Sequence, residues 1–284
     1  MQTASILPLI RIVPMPQCVA HEGVVRRWVE AIMTNLLDEG VMKNPIIVSR
    51  LQGRTPRWIV VDGMHRFAAL RALEIRDILT YEIDYHDPKI GLAGWDTLLL
   101  RPVQARRVVE NVFGKDRSFV VTRVDNADAA RRAVVARDAI LAVGDRSSRF
   151  YLLGARRRAT VETCVQACAR MDAALDADGF RPLYVPDVLS LRDFHRMDCG
   201  GLVMRPLYTK AEVIERTVAG KIFPRKSTRH LIPGRPLRVD VALAWLRGQV
   251  SLAAKNRLLR EHLRWCYEAD RIRYYPESVF VFAD

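Results

Sequence analysis

The run Asp62-Gly63-Met64-His65-Arg66 brings a carboxylate, a glycine and two groups able to hold an anion into five positions. Ahead of it, residues 58–61 are apolar or aromatic and read as a buried strand that stops at Asp62-Gly63. Behind it, Phe67, Leu70 and Leu73 recur at three-residue spacing along one helical face. His65 and Arg66 thereby fall at a helix N-terminus, where free N–H groups and the positive end of the dipole favour an anion. A phosphate site is one reading; a strand–turn–helix connection with a solvated His and Arg is the other.

Two other places carry chemistry-bearing groups. Glu22 lies just before a second helical pattern, Val25, Val29, Ile32, Met33, Leu36 and Leu37, which Gly40 ends. A carboxylate at a helix start is electrostatically favoured, so helix stabilisation alone would account for it. The loop 223–234 contains Lys226, Ser227, Thr228, Arg229 and His230 between Pro224 and Pro233. Cations and hydroxyls on a proline-stiffened loop suit phosphate or carboxylate oxygens, and equally an ordinary basic surface. Arg156-Arg157-Arg158 reads as a solvated loop or as a nucleotide or DNA contact.

The elements that must position these groups alternate. Strands are predicted over 5–13, 46–49, 58–61 and 79–84, with helices after residue 24 and from the Asp62–Arg66 run to about Leu73. Breaks at His86-Asp87-Pro88, Gly91 and Gly94 make 86–118 the join to a second unit. There the pattern predicts a strand over 119–124, a helix over 129–140 and a hairpin pairing 141–143 with 150–153. A long helix opens at Thr160 and closes at Asp178-Gly179. A strand lies within 200–207, and Thr209-Lys210-Ala211-Glu212 forms a capping box. A helix over 252–269 and a strand over 279–282 close the chain. The fold class is α+β, a mixed α/β chain with domains at 1–95 and 96–284.

Half of the 284 residues are hydrophobic and 27% are charged, as in a globular chain with a sizeable core. No apolar run is long enough to span a membrane, and the N-terminal residues lack the form of a secretory signal. Five cysteines without a CxxC pair or zinc spacing, two of them (Cys164 and Cys168) one helical turn apart in a core pattern, point to a reduced, cytoplasmic location. The net charge of +13 is uneven: residues 1–95 carry 11 Lys and Arg against 10 Asp and Glu, whereas the remainder carries 34 against 22. A basic C-terminal part could serve nucleic acid, anionic small molecules or only solubility.

The strand, Asp62-Gly63-x-His65-Arg66, helix arrangement is similar to the box shared by ParB N-terminal domains and sulfiredoxin, where the loop holds nucleotide phosphates. Sulfiredoxin has a cysteine between the glycine and the histidine; Met64 stands here, so that sulfur chemistry is lost. ParB proteins carry a Gly-Glu-Arg-Arg form followed by a helix-turn-helix, and no such motif follows here. The chain most resembles the free L-serine kinases of the ParB/sulfiredoxin-like fold, including those associated with siderophore biosynthesis. The resemblance takes in His21-Glu22, Asn44-Pro45-Ile46-Ile47-Val48, the Asp62–Arg66 box, Thr228-Arg229 and the segment from Pro236-Leu237 to Leu246, and is loose over 100–200.

This resemblance implies transfer of a phosphoryl group from ATP or ADP, with Mg²⁺, to the hydroxyl of L-serine, giving O-phosphoserine for siderophore or amino-acid biosynthesis. Glu22 matches the family's catalytic glutamate and would be the general base. Asp62 would orient the serine ammonium or assist the metal, and Gly63, Met64, His65 and Arg66 would hold phosphate. Lys226, Ser227, Thr228, Arg229 and His230 would close over the site and bind phosphate or the serine carboxylate. The alternative is a ParB-like DNA-binding regulator that senses a nucleotide or other ligand, with a CTP-hydrolysing switch behind it.

Overall fold

The computed structural model describes residues 7–275 and has the expected mixed α/β fold. By contact the chain forms two compact units. The first holds residues 7–91, Ile214–Ile222 and residues 232–275; the second holds Leu92–Val213 and Phe223–Leu231. The first boundary along the chain lies between Gly91 and Leu92. The span 96–284, however, is not one body, because its last part packs with the first unit.

The N-terminal part of the first unit holds β1 (Ile10–Pro14), β2 (Cys18–Ala20), β3 (Val41–Met42), β4 (Ile46–Leu51), β5 (Arg57–Asp62) and β6 (Asp77–Ile83), six strands among the described residues. Five of them form one sheet in the order β1-β6-β4-β5-β2. β4 runs parallel to β6 and antiparallel to β5, and β2 runs parallel to β5. Ile46, Ile47 and Val48 of β4 and Trp58 to Val61 of β5 are all buried. Such unbroken apolar runs mark strands covered on both faces. The strand predicted over 5–13 starts later, since Leu7–Leu9 forms a 3₁₀ turn around Pro8, which has no N–H to give a ladder.

Helix α1 (Arg26–Glu39) ends as predicted at Gly40, whose φ of +66° suits glycine. Helix α2 (Met64–Ala72) follows β5. The helix Leu252–Glu268 packs on β1. Its Asn256 amide accepts the Ile12 N–H at 2.9 Å and donates to the Ile12 carbonyl at 2.8 Å. The exposed ladder of edge strand β1 is thereby occupied at that point. One residue earlier, Lys255 is fully buried; its Nζ lies 2.6 Å from Asp77 Oδ2 and donates to the Leu246 carbonyl at 2.9 Å. Val241–Ala242 pairs antiparallel with β3.

The second unit is built on a six-stranded antiparallel sheet in the spatial order Pro182–Pro186, Trp95–Leu99, Gly201–Met204, Leu141–Asp145, Phe150–Ala155, Phe119–Val124. Leu98, Val134, Ala142, Phe150, Leu202 and Met204 form its core. The predicted hairpin and the 119–124 strand are present. The helix predicted over 129–140 is Ala127–Ala136, because Arg137 turns left-handed (φ +63°) and grips both Glu212 carboxylate oxygens at 2.6 and 2.7 Å. Thr160 caps its helix, and Thr209 and Glu212 exchange both capping-box hydrogen bonds. The strand predicted over 279–282 lies outside the described residues.

Cys18, Cys164, Cys168 and Cys199 are buried, Cys266 is partly so, and all five are free thiols. Burial pushes the thiols of Cys18 and Cys168 up to about 12, which makes them inert packing groups. Among the described residues no helix is long and apolar enough to cross a membrane.

Candidate functional site

The corner between β5 and α2 is shaped by its backbone. The β4–β5 ladder pairs Val48 with Val60 and then Ile47 with Asp62, so Val61 is an extra residue in a bulge just before the turn. A bulge re-aims the side chain that follows it, here Asp62. Gly63 then takes φ +88° and begins α2, whose first closing bond runs from the Phe67 N–H to the Gly63 carbonyl at 2.9 Å. The N–H groups ahead of it in α2 have no acceptor within the helix. A Cβ on Gly63 would lie 2.9 Å from both Arg66 Nη2 and Ile46 Cγ2.

Gly63→Ala therefore strains the turn and displaces Arg66. The expected result is a loss of stability of at least about 1–2 kcal/mol from the left-handed backbone alone. Urea unfolding measures the effect; a variant as stable as the parent would refute this account of the turn.

His65 joins the starts of two helices. Its Nε2 accepts the Val25 N–H at 3.0 Å, and Val25 is the residue that begins α1. An imidazole accepting through Nε2 keeps its proton on Nδ1, so His65 is a neutral donor rather than the cation that a phosphate clamp would suggest. Trp28 packs on it with ring centroids 5.2 Å apart. Met64 is buried, which leaves its backbone N–H rather than its side chain as the group able to meet a ligand.

Glu22 stands beside His21. The buried His21 donates from Nδ1 to the Val60 carbonyl at 2.7 Å, and its Nε2 lies 4.0 Å from Glu22 Oε2. Burial lowers the His21 pKa, opposed by the charge of Glu22, the bond to Val60 and the charge of Asp62. The neutral imidazole thus fixes the backbone next to Glu22 without cancelling the carboxylate's charge. The Glu22 side chain is only 11% exposed.

Asp62 is held by two arginines. Arg66 Nη2 lies 3.7 Å and Arg235 Nη1 3.2 Å from the same oxygen, Oδ2. Arg66 also donates to the Pro45 carbonyl at 3.2 Å, while its Nε is buried and without a hydrogen-bond partner among the described residues. Burial lowers the Arg66 pKa, Asp62 opposes this, and the nearby Arg235 charge adds to it. No side chain caps α2, so Asp62 is an ion-pair partner here and not a helix cap. Arg235 is the site residue missing from the sequence-based set. Its only local signal was a single Arg between Gly234 and Pro236, one position past the basic loop as bounded above.

Lys226, Ser227, Thr228, Arg229 and His230 belong to the second unit, and three of them, Lys226, Thr228 and Arg229, meet Trp95. The Trp95 indole donates to the Thr228 carbonyl at 3.0 Å; Lys226 Nζ sits 4.7 Å and the Arg229 guanidinium 5.5 Å from its ring centroid. Ser227, Thr228 and His230 are buried, and the Ser227 hydroxyl donates to the Pro224 carbonyl at 2.7 Å. Lys226 has φ +58°, a conformation that costs a side-chain-bearing residue about 1–2 kcal/mol. A solvated, unconstrained loop would show neither that burial nor that strain.

Among the described residues no group of three or more His, Cys, Asp or Glu is placed to hold a metal ion. Mg²⁺ asks for less, since it keeps several waters and binds through one or two carboxylates plus substrate phosphates. Glu22 and Asp62, which both act on His21, fit that smaller demand.

No family model matches the chain. It is similar to an ATP-dependent L-serine kinase of Staphylothermus marinus, 24% identical over 86% of this chain and 95% of the relative. An ADP-dependent L-serine kinase of Thermococcus kodakarensis is 23% identical over 78% of this chain and 87% of its own. Among solved structures, a free serine kinase in complex with AMP superposes with a TM-score of 0.69 at 19% identity, covering 84% of this chain and 93% of that one. A C-terminally truncated SbnI of Staphylococcus aureus gives 0.70 at 17% identity over 92% and 98%. These likenesses extend over most of each chain, and at such identities what the solved structures share with this protein is its mixed α/β fold.

Proposed function

We propose that this protein is a free L-serine kinase that moves the terminal phosphoryl group of ATP or ADP to the serine hydroxyl, giving O-phospho-L-serine. The observation that carries the reading is a sheltered carboxylate, Glu22, beside the Asp62–Arg66 corner, in a chain that matches L-serine kinases nearly end to end. In the reaction the serine Oγ–H bond breaks, an Oγ–P bond forms, and the P–O bond to the departing nucleotide breaks. Glu22 takes the hydroxyl proton. The first N–H groups of α2 and the Arg66 guanidinium hold the phosphate oxygens on which charge collects. Asp62 orients the serine ammonium by opposite charge. Where Mg²⁺ is bound, the Asp62 and Glu22 carboxylates would hold it together with the nucleotide, and it would supply neutralising charge beside the phosphate oxygens. We assign Lys226, Ser227, Thr228, Arg229 and His230 to phosphate or serine-carboxylate binding, and the product to siderophore or amino-acid biosynthesis.

The test is incubation with L-serine, Mg²⁺ and either ATP or ADP, with mass detection of phosphoserine. Product with at least one nucleotide is expected. Folded protein that binds nucleotide and yields none with either would refute the proposal.

A further inference from the structure

One oxygen of Asp62 is shared by two guanidinium groups, Arg235 at 3.2 Å and Arg66 at 3.7 Å. Two guanidinium groups thus converge on one carboxylate at a helix start that already favours an anion. The two arginines stand on different parts of the chain. Arg66 is pinned by the Pro45 carbonyl and by Ile46 packed on Gly63, and it carries a buried Nε–H with no partner among the described residues. Arg235 is 36% exposed and stands on a chain fixed on its C-terminal side. There the Arg238 N–H donates to Asn44 Oδ1 at 2.9 Å, the Asp240 N–H to the Lys43 carbonyl at 3.2 Å, and Val241–Ala242 pairs with β3. Arg238 and Asp240 both adopt positive φ, +54° and +53°. Strained backbone of this kind persists where the surroundings enforce it, often at ligand sites. The anchored strap thus brings a long, partly exposed guanidinium side chain to a carboxylate that a substrate ammonium would also need.

We propose that Arg235 is a ligand of the nucleotide's terminal phosphate, and that its transfer from Asp62 to phosphate oxygen frees the Asp62 carboxylate for the ammonium group of the second substrate. Nucleotide binding then tightens amino-acid binding, and by linkage the reverse holds. The identity of that second substrate rests on the kinase reading; the phosphate contact does not.

The test is calorimetric titration of the full chain with α,β-methylene-ADP, with AMP and with L-serine, alone and in the presence of the methylene analogue. Arg235→Gln is expected to weaken binding of the analogue about 10–100-fold and binding of AMP less, while melting without ligand stays near that of the parent. L-Serine affinity of the parent should rise about 5–150-fold when the analogue is present, and in Arg235→Gln that rise should vanish. Arg235→Lys should recover part of the analogue's affinity. Unchanged affinity for the analogue in Arg235→Gln overturns the proposal, as does an equal loss for AMP accompanied by a lower melting temperature, which marks a structural residue. The kinase reading fails separately: a parent that binds the analogue through Arg235 but forms no phosphoserine keeps the phosphate contact and loses the serine activity.

Discussion

Glu22→Gln lowers turnover by about 10²–10⁴, the usual scale for a general base, and leaves nucleotide affinity within a few-fold of the parent. The substitution keeps the shape of the side chain and removes its capacity to take a proton. Glu22 is sheltered from solvent, and burial disfavours the imidazolium that its neighbour His21 would have to become in order to take the proton instead. His21 already spends its Nδ1 proton on Val60. The separation of effects is the informative part: loss in kcat with little change in nucleotide binding belongs to a group that acts in the transition state. Phosphoserine formation under saturating nucleotide, alongside a nucleotide titration, reads both. Full turnover in the variant would remove Glu22 from the role of base.

The second large effect is on stability. Lys255→Met leaves Asp77 buried on β6 with its charge uncompensated, the remaining cation being Arg76, whose Nε is 4.0 Å away on a largely exposed side chain. Breaking a buried pair from one side costs about 3–5 kcal/mol, a large part of the stability of an ordinary domain. Removing both charges together, Lys255→Met with Asp77→Asn, should restore much of the loss, since the penalty comes from the orphaned ion rather than from the missing attraction. Urea unfolding of the parent, the single and the double variant measures this. A single variant within about 1 kcal/mol of the parent would show that the pair contributes little. The same experiment bears on the site, because this lysine ties the helix Leu252–Glu268 and the Leu246 carbonyl to the sheet, beyond the strap that carries Arg235.

Much of the frame was legible because its signals are local. Val25 to Leu37 with Gly40, the hairpin over 141–153, and the Thr160 and Thr209 caps each need only a few neighbouring residues to be recognised, and each is present. The strand Pro182–Pro186 was hidden by its prolines, which are tolerated because it forms an edge of its sheet. The helix Ala105–Phe113 was lost inside a segment taken as a join, although Ala105, Val109 and Phe113 repeat every four residues and are all buried. Lys255 carried a readable clue: it shares a stripe with Leu259 and Leu263, so a charge was due in the core and needed a partner. That the partner is Asp77 is a tertiary fact.

The same division holds at the site. Asp62-Gly63 and the helix start are a local motif, whereas the Arg235–Asp62 pair joins residues far apart in the chain. The neutral state of His65 also depends on a distant group, the Val25 N–H, and so could not be read from its own neighbourhood.

The discontinuity of the first unit has a consequence for how the protein is made. During synthesis at about 5–20 residues per second, roughly 10–35 s separate the appearance of Asp62 from that of Arg235. Throughout that interval β6 carries Asp77 without Lys255, β1 lacks the Asn256 amide on its edge, and the corner at Asp62 has one arginine instead of two. The N-terminal sheet therefore emerges early but is completed late, after the residues of the other unit have been synthesised, and the corner at Asp62 gains its second arginine only then.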